Sequence, residues 1–121
     1  MKQNDLNQLL DYLTMRERAL IAFSKNNVAY LKDETDIAVY TAETDDVSPN
    51  RMQQIKEKLN QQTKFIADKF SHSLFVIEMS PEHELLTLEL KDFFNEGVEP
   101  AWGLRTNPHI ASVKVTAVFS R

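Results

Sequence analysis

Apolar positions along this chain change their spacing several times, and each change predicts an element. Over 5–25, Leu6, Leu9, Leu10, Leu13 and Leu20 recur at helical intervals. Tyr12, Met15, Ala19, Ala22 and Phe23 form a second band there, so the spacing predicts one long helix packed on two sides. Asn26-Asn27 ends it. Residues 28–31 then read as a short strand, 32–36 as a polar turn and 37–42 (IAVYTA) as a stronger strand, together a hairpin. Ser48-Pro49 has the form of a helix start, a hydroxyl cap followed by proline in the first turn. The helix it opens is expected to reach Phe70. Met52, Ile55, Leu59, Ile66 and Phe70 would face inward, and Gln53, Lys56, Lys58, Gln61 and Lys64 outward.

The clearest pattern lies in 74–119. LFVI at 74–77 is continuously apolar, as expected of a strand covered on both faces, which places it at the centre of a sheet. Ser80-Pro81 predicts a helix over 81–96, with Glu82 and Glu84 at the positive end of its dipole. Gly97 suits the left-handed residue that ends it. Leu85, Leu86, Leu88, Leu90, Phe93 and Phe94 make that helix apolar on more than one side. Residues 101–106 read as a strand with Trp102 and Leu104 on its core face. In 112–119, Val113, Val115, Ala117 and Phe119 alternate with Lys114, Thr116, Val118 and Ser120. Asn107-Pro108-His109 predicts a turn that joins these last two strands as an antiparallel pair. The expected architecture is α+β: a two-layer sandwich in which helices pack on a four- or five-stranded mixed sheet. One domain is expected, with an N-terminal helix over 1–25 and a sheet-and-helix core over 26–121.

Composition narrows the function classes. A chain of 121 residues can bury a working core as one domain. Hydrophobic and charged contents of 42% and 26% are those of an ordinary globular protein. Cysteine is absent, so there is no disulfide frame, thiolate metal site or thiol nucleophile, and a reducing, cytoplasmic location is expected. No apolar run approaches the roughly 18 residues of a membrane span, and MKQNDLNQ lacks the form of a signal peptide. A formal charge of -4 argues against nucleic acid, which needs a basic face. Two glycines leave little room for a phosphate-cradling loop.

Candidate chemistry is sparse. Arg16, Glu17 and Arg18 could grip a carboxylate or phosphate; a solvated helix face explains them without a ligand. The acidic loops at 33–36 and 43–46 lack the glycine and the ligand series of a calcium site. Glu78, near the end of the central strand, could serve as acid or base, and Arg105 as an anion clamp. His72, His83 and His109 fall at separate element ends, without the spacing that brings two imidazoles to one metal. Serines 24, 48, 71, 73, 80, 112 and 120 show no nucleophile elbow, and Ser48 and Ser80 already have capping as a role. No catalytic residue, cofactor or metal is therefore assigned.

The segments FVIEM (75–79), HELLTLELKDFFNEG (83–97), AWGLRTNP (101–108) and VKVTAVF (113–119) follow one another in a particular order. That order resembles the second half of the C-terminal domain of FtsZ, the tubulin-like cell-division GTPase. IAVYTAETDDVSPNRMQQIKEKL (37–59) is similar to the strand, loop and helix that precede it there. The resemblance implies the fold. It does not imply GTP hydrolysis, because no glycine-rich nucleotide-binding domain is present. The Asn-x-Asp loop that completes a neighbouring subunit's site is also missing: Asn26-Asn27-Val28 offers no Asp.

Two functional classes follow. One is a non-catalytic interaction or assembly module, a homodimer or docked partner using the first helix or the 81–96 helix. The other is a small oligomeric enzyme or ligand binder with its site at a subunit interface, Arg105 and Glu78 being its candidates. The first is preferred, since a catalytic site needs convergent polar groups.

Overall fold

The computed structural model describes residues 1–64, 69–94 and 100–121. Five strands form one mixed sheet: β1 (Ala19–Ile21), β2 (Ile37–Thr44), β3 (His72–Met79), β4 (Ala101–Thr106) and β5 (Val113–Ser120), in the order β1-β4-β3-β5-β2. The helices are α1 (Gln3–Leu13), α2 (Lys25–Val28), α3 (Arg51–Thr63) and α4 (Thr87–Phe93). The apolar run of β3 thus occupies the centre of the sheet, and its alternate residues serve two cores. Ile77 and Met79 pack with Met52, Ile55 and Leu59 of α3 and Phe93 of α4. Leu74 and Val76 meet Leu6, Leu9 and Leu13 of α1 on the opposite face. To the sandwich of sheet and α3–α4, α1 therefore adds a cover on the second face. Each large side chain so enclosed contributes roughly 1.5–3 kcal/mol.

Several sequence expectations are corrected by the structure. The first helix ends at Leu13, not near 25, and Thr14 turns its hydroxyl back onto the Leu10 carbonyl at 2.8 Å. Arg18 adopts a left-handed φ of 61°, and Ala19–Ile21 becomes an edge strand antiparallel to β4. The apolar band of Met15, Ala19, Ala22 and Phe23 is thus not a helical stripe: Phe23 folds onto the sheet beside Gly103. Asn26-Asn27 lies inside α2, and Ser24 forms a capping box with Asn27.

Residues 28–31 are not a strand; they close α2 and begin a 3-10 turn, Ala29–Asp33. The partner of β2 is instead β5, antiparallel over eight residues, from Ile37↔Ser120 to Thr44↔Val113. The outward edge of β2 is partly closed by α3, where Lys58 Nζ donates to the Glu43 carbonyl at 2.7 Å and Gln62 Nε2 to the Thr41 carbonyl at 2.9 Å.

The hairpin expected between β4 and β5 does not form, because β3 lies between them, parallel to β4 and antiparallel to β5. The 107–112 link crosses the end of β3 and is pinned on both sides, by Asn107 N–H to the Met79 carbonyl and Ser80 N–H to the Ser112 carbonyl, each 2.8 Å. Spanning two strand spacings of about 4.8 Å each needs such a link rather than a two-residue turn.

The helix expected over 81–96 begins only at Thr87. Arg51 occupies the carbonyls of His83 and Glu84, which an earlier helix would need for its own ladder, and Glu89 Oε2 accepts the Leu86 N–H. Ser80 caps only a turn, through Glu82 N–H. At the start of α3 it is the Ser48 carbonyl, not its hydroxyl, that accepts the Arg51 N–H. Ile66 and Gly97, assigned above to a helix face and a helix end, lie outside the described residues.

Candidate functional site

Polar side chains converge at the C-terminal ends of the parallel strands β3 and β4. Glu78 and Arg105 are register partners there, and Lys114 of β5 flanks Glu78 on its other side. A carboxylate thus stands in a row between two cations, with Glu78 and Arg105 both buried. From α1, Tyr12 reaches into the row. Its hydroxyl donates to Glu78 Oε2 at 2.6 Å and lies 3.1 Å from Thr116 Oγ1. Asn107 Nδ2 donates to Glu78 Oε1 at 3.1 Å. Arg105 Nη2 donates to the Tyr12 carbonyl at 2.8 Å, and its guanidinium carbon lies 4.4 Å from the centre of the Tyr12 ring. Burial pushes the Tyr12 phenol above its ordinary pKa, and its bond to Glu78 adds to that rise.

Tyr12, Glu78, Arg105 and Asn107 edge a cavity of about 310 Å³, with Arg18, Glu17 and His109 at its rim. Its place matters, because ligands of open sheets gather outside the carboxyl ends of parallel strands. A second depression, of about 400 Å³, lies between α1 and α2. Its charged lining residues Asp11, Lys25 and Lys32 are all exposed, and the buried residue there is Val28.

The remaining candidates are dispersed. Glu34 pairs with His72 at 2.7 Å and accepts from Ser120, while Asp36 pairs with Arg121 at 2.7 Å. Asp46 accepts the Ser48 N–H at 2.7 Å and a bond from Gln54. His83 contributes its carbonyl to Arg51. Among the described residues, no group of three or more His, Asp or Glu side chains is disposed to hold a metal ion. Of the Arg16–Glu17–Arg18 cluster, Glu17 and Arg18 reach the cavity, from a turn rather than a helix.

Sequence reasoning singled out Glu78 and Arg105 but missed Tyr12, Asn107 and Thr116. In the sequence Tyr12 falls in an apolar band and Asn107 in a turn, so neither stands out as a site residue. Arg51 was missed as well. It is buried and bonds Glu89 through Nε at 2.9 Å and Nη2 at 3.2 Å. Burial pushes the Glu89 carboxyl up, but the bonds from Arg51 and the Leu86 amide prevail and hold it below the usual range.

No protein-family model matches this chain, and no curated protein matches its sequence. Among solved structures, the chain is similar to FtsZ from M. jannaschii, described as an empty dimer. The likeness has a TM-score of 0.62 at 12% identity and covers 100% of this chain but 40% of the FtsZ chain. The class defined is therefore one of fold: an α+β domain with a five-stranded mixed sheet, like the C-terminal domain of FtsZ. This chain spans well under half of the protein it resembles. Among the described residues no helix is long and apolar enough to cross a membrane.

Proposed function

We propose that this chain is a non-catalytic interaction module of the cytosol that self-associates through the segment leading into α4. One observation carries the reading: Leu86 and Leu88 stand 66% and 68% exposed, close together at the start of α4. The expected contact on the first helix is not available, since Leu6, Leu9 and Leu13 are buried within the chain. The neighbouring Leu85 and Leu90 lean into the core of the same molecule. Arg51 and Glu89 fix the backbone around the exposed pair, so a contact there orders little that is still loose. Two such leucines are worth roughly 1.5–3 kcal/mol each when a partner covers them. The fold neighbour described as a dimer supports the same reading, and assemblies of tubulin-like proteins are the first setting in which to look for the contact.

Light scattering over a wide concentration range tests it. The wild-type chain is expected to rise from monomer to dimer mass, and a Leu86→Glu/Leu88→Glu chain to stay monomeric with unchanged helix and strand content. A wild type that is monomeric throughout, or a double variant that dimerises equally well, overturns the proposal. Leu9→Glu would disturb folding rather than test the contact, because Leu9 lies on the buried face of α1.

A further inference from the structure

Two buried arginines make opposite use of the same side chain. Arg51, 3% exposed, directs all five of its N–H groups to protein acceptors: both Glu89 oxygens, the carbonyls of His83 and Glu84, and Ser112 Oγ. It is a structural clamp with nothing left to offer. Arg105, 5% exposed, gives a single N–H to protein among the described residues, at the Tyr12 carbonyl. No buried side-chain nitrogen among the described residues lacks a partner, so Nε and Nη1 of Arg105 are reached by solvent, and the cavity at the strand ends is the larger of the two depressions that Arg105 lines. The Tyr12 ring covers one face of the guanidinium, and the in-plane N–H groups are what remains. A largely buried guanidinium whose remaining N–H groups are reached by solvent is a receptor in which an anion can replace water.

The surroundings say which anion. Arg18 stands at the rim in a left-handed conformation that a non-glycine residue holds only at a cost. Its backbone is fixed there by the Thr106 N–H on its carbonyl, while its guanidinium donates to no described residue. Glu78 already accepts from Tyr12 and Asn107, and its charge, with that of Glu17 at the rim, would repel a second negative charge on a ligand. The geometry points to a binding site for a small monocarboxylate in this cavity, its carboxylate seated on the in-plane N–H groups of Arg105 and covered by Arg18. The planar fork of a guanidinium matches a carboxylate in two bonds, and about 310 Å³ suits a ligand of few heavy atoms. The body of the ligand would then extend towards Asn107 and His109.

Calorimetric titration of the full chain with acetate, propionate and benzoate, and with inorganic phosphate for comparison, tests the site. Saturable binding of at least one monocarboxylate is expected, with phosphate weaker. Arg105→Lys keeps the charge but loses the fork, and should weaken binding about tenfold or more. Arg18→Gly should weaken it severalfold while leaving the melting temperature equal or higher, because glycine accepts the positive φ. The Leu86→Glu/Leu88→Glu chain should bind as wild type does, which separates this site from the self-association surface. No saturable binding of any of the three monocarboxylates, a preference for phosphate, or unchanged affinity in the Arg variants overturns the inference. If Arg105→Lys does not fold, Arg18→Gly decides it.

Discussion

Glu89 and Tyr12 put ionisable groups under opposite pressures, and the two ends of the pH scale separate them. Glu89 is held below its ordinary value of 4.5, so its contribution to stability is full above that value and is lost as pH falls through the depressed one. Urea midpoints should therefore drop on acidification, and Glu89→Gln should flatten that part of the profile. Glu89→Ala, which leaves the Arg51 guanidinium buried without its carboxylate, is expected to cost about 3–5 kcal/mol at neutral pH. Tyr12 works in the other direction. Its pKa is raised above 10.0, so the stability it contributes is complete below that value and fades as the solution becomes more alkaline. Tyr12→Phe should shrink the alkaline decline, leaving the part due to Tyr30, whose pKa burial also raises, and cost about 1–3 kcal/mol at neutral pH, since Glu78 and Thr116 lose a partner. Denaturant titrations at a series of pH values read both effects.

At the level of elements, the narrowest fit is where β1 and its following turn lie on β4. A Cβ on Gly103 would sit 3.0 Å from the Ile21 carbonyl oxygen and 3.3 Å from the Phe23 ring. Gly103→Ala is expected to cost about 1–3 kcal/mol and to accelerate hydrogen exchange at residues 19–21 more than in β3. This packing also explains which elements could be read in advance. The strands at 37–42, 74–79, 101–106 and 112–119 were legible because each carries its own alternation or apolar run. The β1 strand was not, because ALI, continued by Ala22 and Phe23, has no alternation of its own and becomes a strand only when β4 offers a partner. The order of the strands was hidden for a similar reason. A polar link of six residues fits either a hairpin or a bridge over one strand, and the difference rests on Met79 and Ser80 holding its two ends. At the candidate site, Glu78 and Arg105 were visible as charges on apolar strands. Tyr12 lies 66 positions from Glu78, and no local spacing could link them.

For the molecule as a whole, the proposed self-association through leucines and the proposed ligand binding through arginines should respond differently to salt. Added chloride screens the second over a few ångströms and leaves the first nearly unchanged, so dimer mass should persist at salt concentrations that weaken carboxylate binding. One further property follows from the two hydrogen bonds that α3 lays across the outer edge of β2, from Lys58 and Gln62. They leave the sheet with unequal margins, one obstructed and the other, at β1, unpaired among the described residues and only three residues long. A chain that grew by adding strand to strand would need two usable margins to propagate. With only one, any such growth stops at a pair, so the fold itself terminates a fibril. Lys58→Ala with Gln62→Ala should remove that stop, and seeded thioflavin fluorescence would then rise in the double variant while the wild type remains silent.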